Sequence, residues 1–190
     1  FLKTSDAGIS WQYYKIDSLY TDYPKLYFLN QNTGFVYIYD VWKTTNEGVS
    51  WMKIYFPEGG GINCINFSDQ NTGFALTNET GKVYKTTNGG INWLLNTIPG
   101  DIFFSNIKYS GNTAFLCGVK NMLPKLMKST DLGLNWLEIN INYNDSLFVD
   151  KINITDNQNI ILCGQKRYGL PTKILKTTDA GINWNEYQMN

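Results

Sequence analysis

This 190-residue sequence predicts an all-β fold, a β-propeller of four-stranded antiparallel blades, and three observations lead there. One nine-residue phrase returns five times, at a period of 40 to 48 residues, and a recurrence of that length marks a repeat architecture. Each period holds four short β-rich runs separated by turn formers. Sustained helical periodicity occurs nowhere in the chain. Four antiparallel strands in 40-odd residues make one blade, and a lone blade cannot bury both faces, so neighbouring blades must stack.

The chain opens inside a repeat. Phe1-Leu2-Lys3 has the form of a third strand: two apolar residues and then Lys, as in Val41-Trp42-Lys43, Val83-Tyr84-Lys85, Leu126-Met127-Lys128 and Ile174-Leu175-Lys176. Residues 1–16 are therefore read as a half blade. Complete blades are expected at about 25–56, 62–98, 105–140 and 151–188. In the repeat at 62–99, residues 62–67 form a first strand and Ser68-Asp69-Gln70-Asn71-Thr72-Gly73 a turn. Residues 74–78 are the second strand, 82–87 the third and 92–98 the fourth. First strands carry alternating pairs, Leu26/Phe28, Ile65/Phe67, Ile107/Tyr109 and Ile152/Ile154, and spacing of two places each pair on one sheet face. With four complete blades and a half, the chain is expected to be part of a larger propeller and not to close a ring by itself.

The repeated phrase reads KTSDAGISW at 3–11, KTTNEGVSW at 43–51, KTTNGGINW at 85–93, KSTDLGLNW at 128–136 and KTTDAGINW at 176–184. It falls where the third strand must reverse into the fourth. Thr or Ser, and Asp or Asn two positions later, can accept hydrogen bonds from turn N–H groups. Gly8, Gly48, Gly90, Gly133 and Gly181 supply a backbone conformation that a Cβ would penalise. The aliphatic residue after each glycine and the Trp that follows are expected to pack over the turn and between blades.

Composition excludes several functions. Lys+Arg and Asp+Glu balance at 16 each, so no net field favours nucleic acid, and no apolar run approaches a membrane span. There is no His, which removes Ser-His-Asp and Cys-His nucleophiles and histidine metal sites; no metal or cofactor is expected. Arg167 is the single arginine, so no arginine cluster can grip a carboxylate or phosphate. Cys64, Cys117 and Cys163 are odd in number and read as strand-borne packing residues.

The phrase S/T-x-D/N-x-G-x-S/N-W resembles the Asp-box of BNR repeats, found in sialidases, sortilin-type receptors, xyloglucan-degrading glycosidases and the photosystem II assembly factors called Ycf48-like. The context from Asn71-Thr72-Gly73-Phe74-Ala75 to Val83-Tyr84-Lys85-Thr86-Thr87 looks most like the Ycf48-like branch. The resemblance implies that the Asp-box is a structural turn remote from any active site. Its residues here are Thr4, Asp6, Gly8 and Trp11; Thr44, Asn46, Gly48 and Trp51; and Thr86, Asn88, Gly90 and Trp93. The last two copies supply Ser129, Asp131, Gly133 and Trp136, and Thr177, Asp179, Gly181 and Trp184.

Function is expected in the links that vary. The turns from first to second and from third to fourth strand are nearly constant. The second-to-third links and the blade-to-blade links, on the opposite face, differ greatly in length. Variable loops on a rigid scaffold are where binding usually resides. Tyr20, Tyr23, Tyr143, Asp145, Arg167 and Tyr168 lie on them and form the candidate binding face. A sialidase would need three arginines. A glycoside hydrolase would need a carboxylate pair, and Asp22, Asp101, Asp145 and Asp150 offer no distinguished one. The favoured reading is a non-catalytic scaffold or protein-interaction module of a larger secreted or cell-envelope protein, binding a protein or a glycan. A fragment of an Asp-box glycoside hydrolase and a photosystem II assembly factor are the alternatives. The resemblance implies an extracellular or periplasmic location.

Overall fold

The computed structural model describes residues 1–14, 16, 24–37, 39–56, 61–165 and 172–188. Every regular element among them is a β-strand. The half blade pairs β1 (Leu2–Lys3) with β2 (Gln12–Tyr13). Blade 1 is β3 (Lys25–Phe28), β4 (Gly34–Tyr37), β5 (Val41–Thr44) and β6 (Met52–Ile54). Blade 2 is β7 (Ile62–Phe67), β8 (Gly73–Thr77), β9 (Lys82–Thr86) and β10 (Leu94–Thr97). Blade 3 is β11 (Phe103–Ser110), β12 (Thr113–Lys120), β13 (Leu123–Ser129) and β14 (Leu137–Ile139). Blade 4 is β15 (Phe148–Ile154), β16 (Ile160–Gln165), β17 (Thr172–Thr177) and β18 (Asn185–Gln188). Each full blade is a simple antiparallel meander, so the chain forms four propeller blades and a two-stranded piece of another.

Two compact units divide the chain, Phe1–Gly61 and Ile62–Asn190. In the first, Phe35, Val36, Tyr37, Val41 and Ile54 are buried. Phe1 stacks on Tyr14 and meets the edge of Trp51, and Lys3 pairs with Glu47 at 2.8 Å.

The second unit shows how blades adhere. Phe74, Leu76 and Val83 of blade 2 are buried against Phe104, Ile107 and Leu116 of blade 3. Phe115, Cys117 and Leu126 of blade 3 repeat this against Val149, Ile152 and Leu162 of blade 4. Alternation explains both layers: one residue parity of each strand faces the preceding blade and the other the following one. First strands also bond across the junctions. Asn63 Nδ2 donates to Phe104 O (3.0 Å), Asn66 Nδ2 to Ile107 O (3.2 Å) and Ser105 Oγ to Val149 O (2.6 Å). Asn63, Ser105 and Asp150 occupy the same place, where the ladder to the second strand slips by one residue in a β-bulge. A bulge leaves one residue out of the ladder. At the two internal junctions that residue reaches the next blade.

Cys64 and Cys117 are buried, Cys163 is half-buried, and all three are free thiols. Burial pushes the Cys117 thiol up to about 12, which makes it inert.

Candidate interaction site

The Asp-box turns share one backbone-bonding core in all five copies, while the indole N–H bonds the glycine carbonyl in the first, second and fifth copies. In the first, Thr4 Oγ1 accepts from the N–H of Gly8 (2.9 Å) and donates to Asp6 Oδ1 (2.7 Å). Asp6 Oδ1 accepts the Ser10 N–H (2.9 Å) and Oδ2 the Ser10 hydroxyl (2.5 Å). Trp11 Nε1 then donates to Gly8 O at 3.1 Å, folding the indole back over the turn. The same Thr/Ser-to-Gly bond recurs at Gly48, Gly90, Gly133 and Gly181. Asn46 and Asn88 accept the N–H four residues on, just as Asp131 and Asp179 do. The carboxylates are thus committed to their own turns. Hydrogen bonds from Ser10 and Thr4 hold Asp6 at a pKa of about 2. Those from Asn183 and Thr177 hold Asp179 at about 2, and those from Asn135 and Ser129 lower Asp131 further.

Two features of the phrase differ from the expectation. The aliphatic residues after the glycines do not pack between blades: Ile9, Val49, Ile91, Leu134 and Ile182 are 59–88% exposed. Each glycine has a φ between 77° and 94°, and the backbone leaves it with the next side chain outward while the Trp folds back. Nor is every Asp-box Trp buried. Trp93 is 3% exposed and Trp51, Trp136 and Trp184 are half-buried, but Trp11 is 59% exposed. Trp51 and Trp136 rest on Phe1 and Phe74 of the preceding sheet, whereas Trp11 belongs to the first sheet of the chain.

Sequence reasoning missed the residue before each glycine. Ala7, Glu47, Gly89, Leu132 and Ala180 all have φ between 54° and 69°, and only Gly89 adopts it without a Cβ penalty. The N–H groups of Glu47, Gly89 and Ala180 donate to Asn32 O, Asn71 O and Gln158 O of the first-to-second-strand turn in their own blades. That ties the two constant turns together at one end of the blade. The varying links join at the other end. Gly81 N–H donates to Ile102 O, and Leu147 N–H to Met122 O.

Of the candidate binding residues, Tyr143 and Asp145 are described, while Tyr20, Tyr23, Arg167 and Tyr168 lie outside the described residues, as does Asp22. Tyr143 and Asp145 belong to the link between blades 3 and 4, residues 140–147, where Asn142 takes a left-handed φ of 51°. Asp145 is exposed at the surface. Tyr143 packs on the core between the two blades, and burial together with the nearby Glu186 carboxylate pushes its phenol pKa up. Around it opens a cleft of about 330 Å³ lined by Ile141, Asn142, Asn183, Trp184 and Glu186. Glu186 is ion-paired with Lys173. In blade 1, Tyr39, Asp40, Lys53 and Tyr55 line a smaller cleft of about 230 Å³, with Lys53 bonded to Asp40 at 2.8 Å. Asp101, Asp145 and Asp150, weighed as catalytic carboxylates, line neither cleft. Among the described residues no group of three or more His, Cys, Asp and Glu gathers as a metal site.

No protein-family model matches the chain, and no curated protein does. Solved structures do. A structure of Ycf48 bound to a D1 peptide superposes with a TM-score of 0.72 at 17% identity, covering 97% of this chain and 60% of that one. An ancestral GH74 enzyme gives 0.77 at 22%, covering 98% and 28%. Virginiamycin B lyase from Staphylococcus aureus gives 0.65 at 15%, covering 88% and 60%. The fold is that of an Asp-box β-propeller. The chain spans 60% of the length of the Ycf48 structure and 28% of the GH74 enzyme.

Proposed function

We propose that the chain is a non-catalytic propeller module that holds a protein partner through its varying links, with Tyr143 and Asp145 as described contact residues. The observation that carries this reading is the division of labour between the two ends of each blade. At one end the polar side chains are consumed by their own turns: the Asp-box acids bond to N–H groups four residues on. The other links differ in length, and the link between blades 3 and 4 borders a cleft whose aromatic, amide and carboxylate lining it shares with Asn183 and Trp184 of the fifth Asp-box phrase. Such a lining suits hydrogen-bonding peptide groups and flat apolar side chains. A structure of the same fold, Ycf48 with a D1 peptide, gives support for a peptide ligand.

The test is selection of displayed extended peptides against the folded chain, followed by titration of one selected peptide. Asp145→Ala, at an exposed site, should weaken it without lowering the melting temperature, and Tyr143→Phe, which keeps the ring packed on the core, should weaken it by removing the phenol hydroxyl. Hydrolysis of a β-glucan by the chain, abolished by Asp145→Asn or Asp150→Asn, would replace this reading with the glycosidase one.

A further inference from the structure

The cleft at Tyr143 is one stretch of a longer groove. β14 and β18 are the outermost strands of blades 3 and 4, and both leave an Asp-box turn and run toward the opposite end. Side chains of one strand parity share a face. Ile139, Ile141 and Tyr143 therefore form one wall, and Trp184 packs on the same core from the other. Ile182, beside its turn, and Glu186, farther along β18, border the same cleft. Leu137, two residues before Ile139 and on the same face, extends the first wall to the Asp-box rim. From Leu137 to Tyr143 the wall is about 20 Å long, six steps of the extended rise.

The junction between blades 2 and 3 is built differently at the same place. There Asn96 Nδ2 donates across the junction to Gly133 O at 3.1 Å. Register puts Ile139 where Asn96 stands, and it lies so close over Gly181 that a Cβ there would come within 2.5 Å of its Cγ2. Four residues on, Gly100 holds the place of Tyr143. The groove between blades 3 and 4 is thus apolar along its first wall and aromatic at one end. Its charge is cancelled internally, since Glu186 is ion-paired with Lys173.

At the rim the groove ends in two exposed aliphatic side chains, Leu137 at 75% and Ile182 at 73%. Leu94 and Leu134 hold the same places at the junction of blades 2 and 3, with the same exposures of 75% and 73%. Blade 3 has a blade on either side, so this exposure belongs to the corner of the fold.

Resting on the reading of the cleft as a peptide site, we infer that the bound segment is extended and uncharged and lies along this groove. One large apolar side chain sits between Leu137 and Ile182, about six residues from the group that meets Tyr143. Width selects an extended chain: packed sheets stand about 10 Å apart, and a helix about 10–12 Å across does not enter. The cancelled charge selects an uncharged one, because an ionised side chain beside the Lys173–Glu186 pair would lose water without gaining a counter-charge of its own. The exposed pair selects the apolar anchor, since covering it is favourable only under apolar surface. Leu137 and Ile182 are thereby specificity-determining positions.

The test is a displayed library of random peptides of about ten residues, enough to span the groove. It is selected in parallel on the wild-type chain, Leu137→Lys and Ile182→Lys, both substitutions lying at exposed sites that leave the melting temperature unchanged. The wild type should enrich uncharged sequences with one large apolar position. Each lysine variant should bind a wild-type-selected peptide about tenfold or more weakly. Each should itself enrich the same sequence with Asp or Glu at that one position, and weakening without this switch overturns the seat between the two residues. Tyr143→Phe and Asp145→Ala, titrated with the same peptide, separate two failures. If they weaken binding while both lysine variants keep wild-type affinity, the path along the groove is overturned and the peptide reading stands. If none of these variants weakens binding, the peptide reading falls and the path with it. A wild-type selection dominated by charged motifs, or one that yields no binder, also overturns the proposal.

Discussion

Trp93 and Trp11 sit in the same phrase, over the same kind of turn, yet one is 3% exposed and the other 59%. Thr86 and Thr4 make the same bond to Gly90 and Gly8 at 2.9 Å. What differs is the surroundings: Phe67 stands edge-on to Trp93 at 5.9 Å, and Gly8 has only its own Trp nearby. The phrase fixes a turn. The surrounding packing decides what that turn contributes to stability.

The largest expected effect follows from that contrast. Trp93→Ala should lower stability by about 3–5 kcal/mol, as buried aromatic truncations do. Trp11→Ala, losing one exposed hydrogen bond to Gly8 O, should cost at most about 1 kcal/mol. Denaturant melts of the two variants compare them directly, and equal shifts would break the distinction.

Next come the glycines. Both Gly133 and Gly8 have positive φ, so Ala at either incurs about 1–2 kcal/mol of backbone strain. At Gly133 the new Cβ would also overlap the Phe74 ring, adding about 1–3 kcal/mol of overpacking. Thermal melts should therefore show Gly133→Ala clearly below Gly8→Ala.

A smaller effect separates Asp copies from Asn copies. Asp6 and Asp179 have folded pKa values of about 2, below the ordinary 3.8, and Asp131 is lower still. A depressed folded pKa gives stability that is present above the unfolded value and lost as pH falls through the folded one. The wild-type melting temperature should therefore fall as pH drops from about 4 to about 2. A variant with Asn at 6, 131 and 179 should show a shallower fall, the remainder coming from Glu47, Asp69 and Asp156, whose pKa values are also lowered. Asn46 and Asn88 already show that the amide keeps the backbone bond.

The smallest expected change is a gain. Leu132→Gly or Ala180→Gly, at the left-handed position that Gly89 already fills with glycine, should stabilise by about 0.5 kcal/mol. Chemical denaturation of the single variants resolves a change of that size, and a loss would show that Leu132 and Ala180 contribute packing not replaced by backbone relief.

The blades were legible because the fold is written in local signals. Turn formers, alternating apolar pairs and the five-fold phrase each report a neighbouring few residues, and all agree. The bulges at Asn63, Ser105 and Asp150 were not, because an extra residue in a strand shifts alternation by one and these three share no side-chain type. The left-handed residue before each glycine was hidden for a similar reason: Ala7, Glu47, Leu132 and Ala180 are poor advertisements for positive φ. The outward aliphatics were misread because hydrophobicity predicts burial only where the backbone points inward. Of the candidate site, Tyr143 was singled out by its place on a varying link and its residue type. Its companions Asn183, Trp184 and Glu186 come from another part of the same blade pair, and the phrase assigned the first two to the turn.

The direct test of the account is one titration carried out on two variants. A peptide selected on the wild-type chain is titrated into Asp131→Asn, whose turn partners Ser129 and Asn135 do not line the cleft, and into Tyr143→Ala, which alters the link. The account predicts wild-type affinity for Asp131→Asn and a loss of binding for Tyr143→Ala, with both variants folded. Loss of binding in Asp131→Asn with retention in Tyr143→Ala would contradict it, and would place recognition on the Asp-box end of the blades.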